Sequence, residues 1–208
     1  RKDADTQNKY YELQLTSSNG GGQMLKYIDN GKLAAKGYIQ YRVRTHSNKG
    51  RQRFGLQFHT VGQTFGSTNG KYGTLSVVAI SKGKITGSGE GASTVTINPE
   101  RWYTITVAYD RSTGDYSVYA DDICVKKANY ISEILSSKPD SGATADTVTF
   151  GRIAIYYENS GNKVTDAAET ALCDLDDLRR SRIDERVLIA LESDSHFLIH
   201  CHLGFPPY

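Results

Sequence analysis

Apolar side chains recur at every second position in one short stretch after another, and nearly every stretch ends on Gly, Asn, Asp or Pro. Successive side chains of a strand point to opposite faces, so this period-two pattern marks half-buried strands rather than amphipathic helices. In Tyr38-Ile39-Gln40-Tyr41-Arg42-Val43-Arg44-Thr45, Ile39, Tyr41 and Val43 share one face while Gln40, Arg42 and Arg44 share the other. Composition agrees with the pattern. Twenty Gly and 14 Tyr against one Met and one Trp favour turns and strands over helices. No run approaches the roughly 18 apolar residues of a membrane-spanning helix, so no transmembrane segment is expected.

Strands are predicted at 10–15, 24–28, 38–45, 53–60, 75–80, 93–97, 102–109, 116–120, 123–126, 148–157 and 171–179, with a short helix at 131–136. Asn48-Lys49-Gly50 is read as a hairpin turn that returns 53–60 antiparallel to 38–45. The expected fold is all-β: a two-sheet antiparallel β-sandwich over 1–182, followed by a C-terminal segment, 183–208, that closes a sheet or docks as a tail. The start at Arg1 suggests a mature fragment or an excised domain. With 25 basic and 23 acidic residues the net charge is +2, which excludes a general nucleic-acid binder and leaves only local basic sites. Cys124, Cys173 and Cys201 are odd in number and form no CxxC, so neither a zinc site nor a disulfide framework is indicated. Cys124, set between apolar neighbours, reads as a small buried side chain.

Alternation also sorts the candidate site. Phe54, Leu56 and Phe58 form the buried set of 53–60, opposite Arg53, Gln57 and His59. Ile153 and Ile155 are the buried set of 148–157, opposite Phe150, Arg152 and Tyr156. If these strands share a sheet with 38–45, one polar surface holds Gln40, Arg42, Arg44, Arg53, Gln57, His59, Arg152 and Tyr156. Arginines give two-pronged contacts to carboxylates and sulfates, and aromatic rings stack on sugars, so an acidic polysaccharide is the ligand expected there. The plain alternative is the solvated outer face of an antiparallel sheet.

Arg101-Trp102-Tyr103-Thr104-Ile105-Thr106-Val107-Ala108-Tyr109-Asp110, then Thr113-Gly114-Asp115-Tyr116-Ser117-Val118-Tyr119 and Asp121-Asp122, resemble the central hairpin of laminin-G-like domains, within the concanavalin A-like lectin/glucanase superfamily. Asp174-Leu175-Asp176-Asp177-Leu178 is similar to that family's late acidic strand. The resemblance covers roughly residues 8–180 and implies a jelly roll whose concave face binds glycans. Asp121-Asp122 departs from it, since many members have Asp-Gly there. Asp174 and Asp176 would share a face and could ligate Ca2+; no cofactor is otherwise required, and ion pairing with Arg179 or Arg180 is the alternative role.

Two shorter matches point further. Gln57-Phe58-His59 resembles the Gln-Ile/Val-His motif of jelly-roll alginate lyases, and Phe150-Gly151-Arg152-Ile153-Ala154-Ile155-Tyr156 resembles their Tyr-Phe-Lys-Ala-Gly-x-Tyr motif. The resemblance implies that Gln57 with Arg42 or Arg44 neutralises a uronate carboxylate while His59 and Tyr156 share acid and base duty. The family's Arg-Thr/Ser-Glu-Leu-Arg motif has no counterpart, since Tyr41-Arg42-Val43-Arg44-Thr45 lacks its Glu. His200-Cys201-His202 resembles the copper-ligating segment of multicopper oxidases, but no cupredoxin partner motif accompanies it.

Three readings follow. The first is a carbohydrate-binding, lectin-like module for an acidic polysaccharide, extracellular or on the cell surface. The second is a polysaccharide lyase acting on a polyuronate by β-elimination. The third is a structural or adhesive cell-surface domain that self-associates through the 183–208 segment.

Overall fold

The computed structural model describes residues 11–15, 23–29, 33–46, 52–60, 74–137, 144–145, 148, 150–159 and 171–182. Among them are twelve strands and one helix. In chain order the strands are β1 Tyr11–Leu15, β2 Gln23–Asp29, β3 Lys36–Thr45, β4 Gln52–Thr60, β5 Thr74–Ser81, β6 Lys84–Ile85 and β7 Val95–Thr96. They continue with β8 Trp102–Asp110, β9 Asp115–Ala120, β10 Ile123–Asn129, then helix α1 Tyr130–Ser137, β11 Phe150–Asn159 and β12 Ala171–Arg182. Two six-stranded sheets result, in the orders β1-β12-β3-β8-β9-β10 and β2-β11-β4-β5-β6-β7, with every pairing antiparallel. The expected all-β sandwich is therefore present. The 183–208 segment, with Cys201 and the His200-Cys201-His202 stretch, lies outside the described residues.

One expectation is corrected. β3 and β4 do not form a hairpin; they belong to different sheets. Each carries an apolar face, and that face is satisfied equally by lying side by side in one sheet or by facing each other across the core. Period two cannot distinguish the two, and the chain takes the crossover.

The core lies between the sheets. Ile39, Tyr41 and Val43 of β3, Ile105 and Val107 of β8, and Val118 of β9 are buried on one side. Phe54, Leu56, Phe58, Val78, Ile80 and Ile153 meet them from the other. Aromatic pairs cross the gap edge to face: Tyr41 with Phe54 at 5.6 Å between centroids and Phe58 with Tyr116 at 5.4 Å. Offset or perpendicular rings are the favourable arrangement for their quadrupoles.

Helix α1 caps one end of the core. The Asn129 side-chain oxygen accepts the Ser132 N–H at 3.1 Å, an N-cap that satisfies one orphan donor of the first turn. Tyr130 and Ile134 are buried beneath it. Glu133 accepts a hydrogen bond from the Tyr116 hydroxyl and pairs with Lys126 at 2.8 Å, tying the helix to β9 and β10. Burial, and then Glu133 beside it, pushes the Tyr116 phenol far above its usual range.

A glycine-rich strap between β6 and β7 joins the sheets at their edge. Ser88 N–H donates to the Val125 carbonyl at 3.0 Å, Lys127 N–H to the Ser88 carbonyl at 3.1 Å, and Ser93 N–H to the Cys124 carbonyl at 2.9 Å. These bonds occupy part of the open edge of β10, where exposed backbone groups would otherwise invite another strand.

Candidate functional site

The predicted site residues divide between the two sheets. Gln40, Arg42 and Arg44 stand on β3, in the first sheet. Arg53, Gln57 and His59 stand on β4, and Arg152 and Tyr156 on β11, neighbours in the second sheet. The single surface expected from alternation is thus two surfaces on opposite sides of the sandwich, because β3 and β4 cross over instead of pairing.

On the first sheet the arginines already have work. The Arg42 and Arg44 guanidinium carbons lie 4.9 and 4.8 Å from the centroid of the Trp102 ring on β8. Gln40 donates its amide to the Thr106 hydroxyl at 3.0 Å. In the ladder between β3 and β12, Arg44 stands opposite Asp174 and Arg42 opposite Asp176. The two aspartates considered as Ca2+ ligands are therefore register partners of arginines, though not of Arg179 or Arg180. Among the described residues no group of three His, Cys, Asp or Glu gathers as a metal site would require. Cross-strand opposite charges and cation–π contacts each stabilise a sheet face modestly.

The second sheet holds a different arrangement. Phe54, Leu56 and Phe58 face the core, so Gly55, Gln57 and His59 occupy the opposite, outward side of β4. His59 is nevertheless only 2% exposed. Its Nε2 lies 3.1 Å from the Gln57 Oε1 on the same strand. On one side β11 sets Arg152 opposite His59, Ala154 opposite Gln57, Tyr156 opposite Gly55 and Glu158 opposite Arg53. On the other side β5 sets Thr74 opposite His59 and Ser76 opposite Gln57.

Both neighbours of β4 are bulged beside this pair. The β5 register slips between Leu56 and Gln57, which inserts Val77 as the extra residue. The β11 register slips between Phe150 and Arg152, which inserts Gly151. Bulges redirect side chains and sharpen local twist, and they cluster beside functional sites. The β11 bulge also corrects the sequence reading: Phe150 stands opposite Thr60, so it leaves the alternation set of Arg152 and Tyr156. Ser76 and Thr74 were absent from the sequence expectation. A signal for them existed in Val77-Val78, two adjacent apolar residues that are both buried and break period two.

The spacing of the rungs has chemical meaning. Residues on one face repeat every about 7 Å, so His59 and Tyr156, two rungs apart, are separated by roughly 13 Å of strand. The one rung between them pairs Gln57 with the small Ala154, and Tyr156 itself stands opposite Gly55. Elsewhere, Cys124 is half-buried, where burial pushes its thiol up despite the opposing effects of Lys127 and a backbone hydrogen bond from Lys126. That is the opposite of what an activated thiol requires.

No protein-family model matches the chain and no curated protein matches its sequence. Solved structures match its fold. An endo-acting O-glycanase of the human gut microbiota, described as initiating mucin breakdown, superposes with a TM-score of 0.54 at 10% identity, over 86% of this chain and 81% of that one. The carbohydrate esterase vb_24B_21 of the Shiga toxin-encoding bacteriophage phi24B gives 0.50 at 13% identity, over 88% and 86%. An alginate lyase from Corynebacterium sp. gives 0.46 at 10% identity, over 86% of this chain. The chain spans 65% of that lyase and 16% of a sialidase that it also matches, with a TM-score of 0.46.

Proposed function

We propose that this concanavalin A-like jelly roll is a carbohydrate-binding domain that holds an acidic polysaccharide across the outward face of its β2-β11-β4-β5-β6-β7 sheet. The observation that carries the reading is the row of rungs on β4 and β11: Arg152 with His59, Ala154 with Gln57, Tyr156 with Gly55, Glu158 with Arg53. Two arginines, one of them opposite the Glu158 carboxylate, alternate with an amide, an imidazole, a tyrosine and small residues over three rung steps, about 20 Å of strand. A row of that length suits a polymer better than a single sugar. Two solved proteins of this fold, the O-glycanase and the carbohydrate esterase, have names that place them on carbohydrates. Arg152, Arg53, Gln57 and His59 are the ligand-binding residues of this reading. Gln40, Arg42 and Arg44 leave it, because they stand on the other sheet. An extracellular or cell-surface location follows from such a ligand, and the structural Ca2+ considered at Asp174 and Asp176 belongs with the other sheet.

The second reading is the polyuronate lyase. It is favoured by one observation: the Gln57-Phe58-His59 and Arg152-to-Tyr156 stretches, far apart in sequence, are adjacent strands. In β-elimination a base takes the proton from C5, the C4–O bond breaks, a C4=C5 double bond forms, and an acid returns a proton to the leaving oxygen. His59 and Tyr156 would be base and acid, with Arg152 and Gln57 neutralising the carboxylate. The tyrosine can serve only where nearby cations lower its usual value of about 10. The roughly 13 Å between the two rungs must then be bridged by side chains and sugar together, which is why binding leads.

One panel decides. The domain is run through affinity gels containing alginate, glucuronan, pectate or hyaluronan, and the same mixtures are followed for the ultraviolet absorbance of unsaturated uronates. Retardation by one polymer, lost in His59→Ala and Arg152→Ala, with flat absorbance is the expected result. Rising absorbance that disappears in His59→Ala and Tyr156→Phe establishes the lyase instead. Neither signal with any polymer removes both readings and leaves a structural or adhesive domain.

A further inference from the structure

The register slip on β5 decides which of its side chains reach the outward face. From Ser81 to Val78 the pairing with β4 is regular, with Gly55 opposite Ala79 and Leu56 opposite Val78. Continued without interruption, that register would set Val77 opposite Gln57, Ser76 opposite Phe58 and Leu75 opposite His59. Partners on adjacent strands point to the same face. A valine and a leucine would then stand outward, and Ser76 would be turned toward the core beside Phe58. The bulge reverses this. Gln57 stands opposite Ser76, Phe58 opposite Leu75 and His59 opposite Thr74. Val77 is buried, Leu75 packs against the core, and Ser76 is exposed. One extra residue thus exchanges two apolar side chains for two hydroxyl-bearing residues on the outward rungs.

The rung so formed is uncharged: Ala154, Gln57 and Ser76 lie in line across β11, β4 and β5. The charged residues of the row, Arg152, Arg53 and Glu158, stand on β11 and β4, whereas the outward positions of β5 carry hydroxyls and a methyl. Gln57 is half-buried and Ser76 exposed, while His59 is 2% exposed, so the Gln57–Ser76 rung is the more accessible part of the pair of strands. A hydroxyl both donates and accepts, and an amide side chain offers both kinds of group. That combination matches the hydroxyls of a sugar rather than its carboxylate.

We propose that Ser76 and Gln57 form an uncharged subsite for the hydroxyl edge of a sugar ring, and that the Val77 bulge is what presents Ser76 there. This rests on the reading of the face as carbohydrate-binding, and it adds to the arginines a position that reads the neutral part of the polymer. The sugar then lies with its carboxylate toward β11 and its hydroxyl edge toward β5.

The test uses the full chain in affinity gels of alginate, glucuronan, pectate or hyaluronan. Ser76→Ala removes the hydroxyl without adding bulk, and Ser76→Thr keeps it. The expected result is retardation weakened about fivefold in Ser76→Ala, the order of one uncharged hydrogen bond, and near the parent's in Ser76→Thr, with the urea midpoints of all three proteins alike. Between about 50 and 300 mM salt the Ser76→Ala loss stays constant, whereas the loss in Arg152→Met shrinks as charges are screened. Retardation of the parent with none lost in Ser76→Ala overturns the subsite and leaves the glycan reading standing. A Ser76→Ala loss that shrinks with salt as the Arg152→Met loss does, or one that Ser76→Thr shares in full, also overturns it. A parent retarded by no polymer removes the glycan reading itself, and the subsite with it.

Discussion

Phe58 shows how much of the fold rests on single side chains. Its ring meets Tyr109, Tyr116 and Tyr130 edge to face, with centroids 6.4, 5.4 and 6.0 Å away. It therefore connects β4 to the opposite sheet and to helix α1 at once. Phe58→Ala is expected to cost about 3–5 kcal/mol, since it removes both the buried ring and the partners of three others. A shift of the urea midpoint at unchanged slope checks this; a loss below about 1 kcal/mol would mean the cluster repacks freely. Asp110 governs a different variable. Burial alone would raise its carboxyl, but the Ser112 hydroxyl and N–H, and Lys36 at 3.1 Å, outweigh that and hold it below its usual value. A folded-state value that is depressed gives stability present at neutral pH and lost as pH falls through the acid range, starting near the unfolded value of about 3.9. Asp110→Asn should lower stability at pH 7 and flatten the decline between about pH 5 and pH 2, measured as urea midpoints across pH. An unchanged slope in that window would remove Asp110 from the acid limb.

At the scale of elements, the strap tests whether the two sheets are held together at their edge as well as through the core. Gly89 has φ +92°, and a Cβ built there would lie 2.0 Å from the Lys127 carbonyl oxygen. Both the backbone conformation and the close approach demand glycine. Gly89→Ala should cost about 2–4 kcal/mol and speed amide exchange at Ser88, Ser93 and Lys127 more than at core amides of β3 or β8. Uniform loss of protection would mean the strap has no independent stability. The strands themselves were legible in sequence, since alternation with turn residues between gave nearly every one of them and α1 as well. Their partners were legible only where a short turn forces adjacency, as between β8 and β9. The β3–β4 crossover was hidden because an apolar face fits either arrangement. The bulges were hidden because one extra residue shifts register without altering composition, although Val77-Val78 and Gly151 carry its trace. Gln57, His59, Arg152 and Tyr156 were grouped by alternation and by motif resemblance, and their strands β4 and β11 do adjoin. Arg42 and Arg44 were misplaced with them for the same reason that β3 was.

For the whole molecule, the consequence is two polar faces on different sheets, and the roles proposed for them can be separated by substitution. The outer face of the first sheet joins Arg42 and Arg44 to Trp102, with Asp176 and Asp174 opposite them in register. Its contacts are internal, so it contributes to stability. The outward face of the second sheet carries the Gln57–His59 pair between two bulges, which break regular pairing there, while the extra residue Val77 is buried in the core. Methionine in place of both Arg42 and Arg44 retains much of the apolar stem while removing the guanidinium groups. The double variant should lose about 1–2 kcal/mol, less than two independent cation–π contacts if the arginines compensate for each other at the shared ring. It should keep its retardation by polysaccharide within about twofold, because a charge on the far side of the sandwich is separated from the ligand by more than a Debye length of about 8 Å at physiological salt. Arg152→Met is expected to do the reverse, leaving the urea midpoint nearly unchanged and weakening retardation about tenfold or more, as loss of a charge-assisted contact does. Equal loss of retardation in the two variants would contradict the separation of faces, and would place the ligand around an edge of the sandwich where both sets could reach it.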